Sequence, residues 1–489
     1  MGPVRLRGCP ADGCGIGSLS AAAAVVGGRV LAGAPDLRLE GVAADTRAVQ
    51  VGDLFCALRG ERVDAHELLG QAFAAGAAAA LVDREPGDAW ALEGVPAGRG
   101  VVWVPAVLPA LASLAHHHLR AVRARAPLRV TAVTGSVGKT GTRTLIAAAL
   151  GAGGTAVLSP EGSFNTEITV PLVCLRAGER HRYAVLELAM RGPGQITQLA
   201  AICRPDVGVL TVIGESHLEL LGSVEAIAHA KGELLTALGP GGLAVLNADD
   251  PWQRRLAVTC PSPVCWYGEG PGAEVRGESP EVDADGRWTF QALVGGRRRR
   301  VRLGLLGRHQ MHAALAALAC AHHAGVDLEA AVAALAGVGP FPGRLDRRSA
   351  GRLWVLDDAF NAAPLSALAA LKTLTTLAPA AGRAAVLGDM RELGPASRQG
   401  HHQVGEAAAA AGLAFLLAVG PLAGDIANGA LRAGMPPERV HLADDAAGAL
   451  EALTPLLAGL PDGATVLVKG SHAVGLDAIV AELASPKTP

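Results

Sequence analysis

Hydrophobic positions along the 489-residue chain fall into short apolar runs separated by longer, alanine-rich stretches. Runs over 128–134, 155–158, 183–188, 206–213 and 243–247 read as strands, with helical stretches between them. Strand and helix alternating in this way predict a parallel, doubly wound sheet. The pattern restarts near residue 341, with strands expected over 353–356, 384–387, 415–419, 440–442 and 465–468. Ahead of both lies a smaller set: a helix over 20–26, strands over 37–42, 53–58, 78–82 and 100–104, and a helix carrying His116, His117 and His118. Three adjacent histidines on a helix point in three directions, which argues against a metal site. The expected class is α/β with three domains. A loose leader over 1–17 precedes a small N-terminal α/β domain over 18–126. A central P-loop ATPase-like parallel sheet follows over 127–338, then a C-terminal Rossmann-like α/β domain over 339–489.

Composition agrees with this class. The chain is 50% apolar but only 3% aromatic, which suits helices packed on parallel sheets better than an all-β sandwich. A formal net charge of −2 provides no global basic field for nucleic acid or a membrane surface. Arg297, Arg298, Arg299 and Arg300 do form a basic run. Alternation along a strand puts only half of them on each face and no aromatic platform accompanies them, so a solvated hairpin is expected. Eight cysteines are sparse, and the Cys9/Cys14 and Cys260/Cys265 pairs lack further ligands at zinc spacing. A reducing, cytoplasmic chain is expected. Arg5 and Arg7 are followed by no apolar signal core, and no apolar run reaches the length of about 18 residues needed to span a membrane.

The candidate chemistry starts at Thr134-Gly-Ser-Val-Gly-Lys-Thr-Gly-Thr142. A strand, a glycine turn, a lysine, a hydroxyl and a helix form the layout that cradles a triphosphate. Gly135, Ser136, Val137, Gly138 and Gly141 would supply the turn, Lys139 would reach the β- and γ-phosphates, and Thr140 would ligate magnesium. The usual first glycine, six places before the lysine, is Val133 here, so the motif has a shorter form.

Two polar groups fall at the same sheet edge, where ligands of such sheets bind. Glu187 ends an otherwise apolar run and reads as a magnesium ligand or a structural ion pair. His217 follows the run over 206–213. Lys231 stands inside the apolar stripe of the helix over 223–238, with Ile227 and Leu235 four residues to either side and no acid at helical spacing. Its amine could be neutral and carbamylated by CO2, could neutralise a bound anion directly, or could snorkel to solvent. A switch GTPase would need Asp-x-x-Gly and Asn-Lys-x-Asp motifs, and neither occurs at a fitting place; a kinase acting on a hydroxyl stays open.

The motif set then becomes specific. It comprises the Thr134–Thr142 turn, Ser163-Phe-Asn-Thr-Glu-Ile-Thr-Val-Pro-Leu172, Glu187, Gly214-Glu-Ser-His-Leu-Glu219, Ala230-Lys-Gly-Glu-Leu-Leu235 and Gly307-Arg-His309. Together these resemble the Mur ligase family, three-domain ATP-dependent amide ligases of peptidoglycan synthesis, over nearly the whole chain from about residue 18. Four further stretches are similar to the branch of that family that adds D-Ala-D-Ala. They are Asp45-Thr-Arg47 with Gly60-Glu61, Leu356-Asp-Asp-Ala-Phe-Asn-Ala362, Gly388-Asp-Met-Arg-Glu-Leu-Gly394 and Val468-Lys-Gly-Ser471.

The resemblance implies ATP and Mg2+ as cofactors, with UDP-N-acetylmuramoyl tripeptide and D-Ala-D-Ala as substrates. An acyl phosphate would be the intermediate, and ADP and phosphate would be released by a monomer in the cytoplasm. It also implies a UDP-substrate-binding N-terminal domain carrying Thr46 and Arg47, and Asn165 and Thr166 facing the sugar-peptide. His217 and a carbamylated Lys231 would serve a second magnesium, Arg344 the nucleotide phosphates, Asp358 the ribose and Gln310 the adenine. Phe360, Asn361 and Lys469 would lie on the dipeptide side.

Two stretches depart from the family pattern. Gln310 stands where an asparagine amide is expected, one methylene longer. Asp357-Asp-Ala-Phe-Asn-Ala-Ala363 lacks a serine hydroxyl, a phenol and a terminal amide. A related ligase adding a single amino acid, or a non-catalytic nucleotide-binding scaffold, are the alternatives.

Overall fold

The computed structural model describes residues 7–8, 16–60, 62–84, 95–160 and 162–484. The leader through residue 15 (its strand at Arg7–Gly8 excepted), with Arg5, Cys9 and Cys14, and Glu61 of the Gly60-Glu61 motif lie outside the described residues. Three sheets occur among those described, of six, nine and six strands in chain order.

The central sheet positions the candidate site. Strand Arg129–Thr134 runs parallel between Val207–Leu210 on one side and Tyr183–Glu187 on the other. Leu243–Asn247 and Val264–Gly268 extend the parallel part beyond Val207–Leu210. Val275–Val282, Arg287–Val294 and Arg297–Leu306 then complete that side as antiparallel hairpins. The arginine run lies on the last of these strands. Arg297, Arg298 and Arg300 are exposed, Arg298 pairs with Glu278 at 2.9 Å, and Arg299 pairs with Glu329 at 3.1 Å.

The C-terminal sheet has the order Asp346–Ala350, Leu353–Asp357, Thr465–Lys469, Arg383–Gly388, Phe415–Val419 and Val440–Ala443. All of its pairings are parallel except the first. Val466, Leu467 and Val468 are all inaccessible to solvent, because helices cover both faces of this sheet.

Several expected elements come out differently, each for a readable reason. The strand expected over 206–213 stops at Leu210, because side chains take Thr211 O and Ile213 N. The strand expected over 37–42 is reduced to Gly41–Ala43. Leu37 O and Leu39 N are used instead to tie down the start of helix Leu19–Val26, through Leu19 N and Gly17 O. Three edge strands were not expected: Arg7–Gly8, antiparallel to Gly41–Ala43, the short Arg29–Ala32, antiparallel to Gly100–Trp103, and the charged Asp346–Ala350. The triple histidine rides on helix Val107–Arg125, which packs against the central domain. His118 Nε2 lies 2.8 Å from Ala177 O, and His116 Nδ1 lies 3.3 Å from Ile202 O.

Candidate active site

The turn after Arg129–Thr134 takes its shape from two glycines. Gly135 has φ 147°, and a Cβ there would lie 1.9 Å from Thr211 Oγ1. Gly138 has φ 82° and opens helix Lys139–Leu150. Val133, by contrast, is a fully buried strand residue in register with Glu187, where nothing calls for glycine. The short motif is therefore complete: glycine stands at the two positions whose backbone needs it. Lys139 curls over the turn, donating to Gly135 O at 2.9 Å and Ser136 O at 3.2 Å. Burial and the neighbouring Arg344 hold its ammonium below the ordinary lysine range, against the pull of Glu187.

Glu187 is 1% exposed at the end of its strand. Its Oε2 accepts from Thr140 Oγ1 at 2.8 Å and its Oε1 from Asn165 Nδ2 at 2.7 Å. Arg143 Nε stands 3.9 Å from Oε2, and the same guanidinium donates to Ser159 Oγ and Pro160 O. Thr140 Oγ1 also lies 3.5 Å from Ser163 Oγ, which accepts from Arg344 Nη2 at 3.1 Å. Glu187, Thr140, Ser163 and Arg344 thus form one chain of contacts from the central sheet to the C-terminal region. Asn165 belongs to this cluster, whereas Thr166 packs on Thr169, 3.0 Å between hydroxyls, at the start of helix Thr169–Cys174.

Lys231 is 1% exposed on helix Val224–Thr236. Its amine has no hydrogen bond or ion pair among the described residues, and burial, aided by Lys139, pushes its pKa well below the lysine range. His217 adopts φ 57° at the start of the turn Leu218–Leu221, and its Nδ1 lies 2.5 Å from Glu392 Oε2. Burial lowers the imidazole's pKa, with Glu392 opposing.

On the C-terminal side, Arg344 lies 4.1 Å over the Phe360 ring. Asp358 accepts from Leu345 N at 3.2 Å and pairs with Lys469 at 2.6 Å. Lys469, 2% exposed, also donates to Asn361 O at 2.8 Å. One ammonium thus joins Asp358, expected at the ribose, to Asn361, expected at the dipeptide. Burial raises the Asp358 pKa, and Lys469 counters it. Gln310 begins helix Gln310–His323 beside the phosphate helix: a Cβ on Gly141 would lie 3.3 Å from Gln310 Oε1.

Thr46 and Arg47 sit apart, on the short 3-10 turn Thr46–Ala48 following strand Gly41–Ala43. Asp45 fixes the Arg47 guanidinium at 2.6 and 2.9 Å. No hydrogen bond or ion pair links either residue to the phosphate loop among the described residues.

Sequence reasoning did not single out Arg143, Ser163 or Glu392 as site residues. Ser163 and Glu392 stand inside motifs that it quoted, but no local pattern aims their side chains at Thr140 or His217.

Known proteins resemble this chain over most of its length. Three family descriptions fit in chain order: "Mur ligase family, catalytic domain" over 38–119, "Mur ligase middle domain" over 133–321, and "Mur ligase, glutamate ligase domain" over 343–472. The chain belongs to the Mur ligase family.

Among individual Mur ligases, it is 35% identical to the UDP-N-acetylmuramoyl-tripeptide–D-alanyl-D-alanine ligase of Escherichia coli (strain K12), covering 92% of this chain and 94% of that protein. The Mycobacterium tuberculosis (strain H37Rv) protein of the same name is 37% identical, over 91% and 92%. A MurF crystal structure from Acinetobacter baumannii superposes with a TM-score of 0.83 at 28% identity, covering 95% of this chain and 97% of that one. MurF ligase from Thermotoga maritima in complex with ADP gives 0.77 at 26% identity, covering 92% and 97%. The three-domain Mur ligase fold is the fold of this chain.

Proposed function

We propose that this Mur ligase joins D-Ala-D-Ala to UDP-N-acetylmuramoyl tripeptide, converting ATP to ADP and phosphate. The observation that carries the reading is the contact chain Glu187–Thr140–Ser163–Arg344, which ties the phosphate loop to both large domains. The activity named for the relatives supports it.

In the first step an oxygen of the tripeptide's terminal carboxylate attacks the γ-phosphorus, and ADP leaves. The amine of D-Ala-D-Ala then attacks the acyl carbon and gives up a proton, and phosphate departs with the former carboxylate oxygen. Gly135 and Ser136 shape the turn, backbone N–H groups of Val137–Gly141 hold the phosphates, and Lys139 turns from the loop carbonyls to the transferring group. Arg344, held between Ser163 and the Phe360 face, sets its guanidinium toward the same phosphates. Gln310 reaches the adenine, and Asp358, aimed by Lys469, the ribose. Thr46 and Arg47 hold the uridine end, Thr166 faces the sugar-peptide, and Asn165 orients Glu187. Phe360, Asn361 and Lys469 border the dipeptide.

The Thr140 hydroxyl and Glu187 carboxylate, 2.8 Å apart at the loop, are the hard oxygen donors magnesium takes beside phosphate. The ion would offset the charge on the transferring phosphoryl group. His217 and Lys231 are assigned to a second magnesium. Burial favours the neutral form of the Lys231 amine, which has no hydrogen bond or ion pair among the described residues, and the neutral amine is the form that adds CO2, which supports the carbamate. ATP as substrate and six free cysteines among the described residues fit a cytoplasmic setting. A monomer is proposed, with no nucleic-acid partner. No helix among the described residues is long and apolar enough to cross a membrane.

The test is phosphate release by purified protein with ATP, magnesium, the UDP-tripeptide and D-Ala-D-Ala. Release should require both substrates and match the amide formed. Equal release without the dipeptide would overturn the reading, and replacing the dipeptide by single amino acids identifies a different acceptor.

A further inference from the structure

The segment 211–214 follows a strand yet has left the sheet, and it grips the phosphate loop from one side. Ser136 N donates to Val212 O at 2.7 Å, and Thr211 N to Thr134 O at 2.9 Å. Thr211 Oγ1 donates to Val137 O at 2.7 Å, and the Ser136 hydroxyl exchanges hydrogen bonds with Gly214 at 2.8 and 3.0 Å. Gly135 comes so close to Thr211 that no side chain fits between them.

The other side of the segment is held by three buried polar residues from a later part of the chain. Tyr267, 1% exposed, offers its hydroxyl to Leu210 O at 2.7 Å and Thr211 O at 3.0 Å. Gln253, fully buried, donates to Thr211 O at 3.2 Å and Asp250 Oδ2 at 3.0 Å, while its Oε1 accepts from Asn247 N at 2.7 Å. Asp250 accepts from Ile213 N at 2.8 Å and Trp252 N at 2.9 Å. No hydrogen bond joins any of the three directly to the residues 135–140 among the described residues.

Placing these groups in the core costs desolvation, and a core aromatic without a hydroxyl would pack as well. What they determine is the position of 211–214, and through it the loop. We propose that Tyr267, Gln253 and Asp250 are positioning residues for nucleotide binding, acting through Thr211 and Gly214 to hold the phosphate loop in its binding shape. A loop that binds phosphate through backbone N–H groups works only when its backbone is already fixed, so loosening this support weakens nucleotide binding ahead of everything else. The inference rests on the ATP reading of the loop.

The experiment measures binding of a non-hydrolysable ATP analogue, KM for the UDP-tripeptide and thermal midpoint in native protein, Tyr267→Phe, Thr211→Val and the double variant. Each single change removes one hydroxyl and should raise the analogue Kd about fivefold, with the UDP-tripeptide KM within about twofold and a cooperative melt. The double variant should bind no more than about twofold worse than the weaker single, because both act on one segment. Native-like analogue affinity in either single variant, or effects that multiply in the double, would overturn the inference. If Tyr267→Phe does not fold, Thr211→Val alone decides, with unchanged affinity counting against it. Native protein that binds no analogue would overturn the nucleotide reading itself, and this inference with it.

Discussion

His217 Nδ1 lies 2.5 Å from Glu392 Oε2, and the two residues come from different domains. Both adopt left-handed backbone, φ 57° and 64°, a conformation that disfavours residues with a side chain. The surrounding contact is backbone on backbone. Glu219 N donates to Glu392 O at 3.1 Å, and a Cβ on Gly394 would sit 2.8 Å from Glu219 Cα. The docked C-terminal domain therefore helps set where His217 points. Glu392→Gln keeps the shape and removes the charge. We expect kcat to fall about tenfold with KM for ATP within about twofold, measured by steady-state phosphate release; a raised KM with kcat unchanged would assign Glu392 to ground-state nucleotide binding instead.

Gly135→Ala is the severest single change available at the loop. The new methyl would meet Thr211 Oγ1 at 1.9 Å, on a backbone of φ 147°. Binding of an ATP analogue should be lost in calorimetry while the thermal melt stays cooperative. Retained affinity would show that the loop binds in another shape.

Glu187→Gln tests the carboxylate. Thr140 and Asn165 both donate to it, and an amide presents one acceptor where the carboxylate presents two. Turnover should drop about a hundredfold or more at low magnesium, and raising magnesium should restore part of it, because the change weakens the ion's site. A loss that magnesium concentration does not touch would place the ion elsewhere.

These sites were legible in the sequence to different depths. Gly135, Gly138, Lys139 and Thr140 are read from one local motif, since a turn's backbone demands are local. Glu187 and Lys231 stood out because each charge interrupts an apolar pattern, and both are 1% exposed. Tyr267 could not be read, because a lone tyrosine at a strand end looks like any core aromatic until Leu210 and Thr211 are brought to it. The same contact explains the overlong strand expectation: Thr211-Val-Ile213 has strand composition, but Thr211 O and Ile213 N are taken by side chains and Val212 O by the phosphate loop. Asp358 and Lys469 were assigned to separate substrates because the 2.6 Å pair between them spans most of a domain in sequence.

Acid sensitivity follows from Asp249 and His312. Hydrogen bonding from His312, 3.1 Å away, and from the backbone of Glu269 and Gly270 holds the Asp249 carboxyl at about 2, below its ordinary 3.8, despite partial burial. A carboxyl depressed on folding stabilises above its unfolded pKa, and that stability is lost as pH falls through the folded value. His312→Ala should lower the urea midpoint at about pH 5, and the gap to native protein should narrow as pH falls from about 4 toward 2. A gap that widens on acidification would contradict the assignment.

The central claim is that the loop at Thr134–Thr142 uses ATP to turn a carboxylate into an acyl phosphate. Supplying UDP-tripeptide labelled with 18O in its terminal carboxylate, with unlabelled ATP and D-Ala-D-Ala, and weighing the released phosphate tests this directly. The account predicts one labelled oxygen in each phosphate released from fully labelled substrate, in step with amide formation. Phosphate free of label would contradict it.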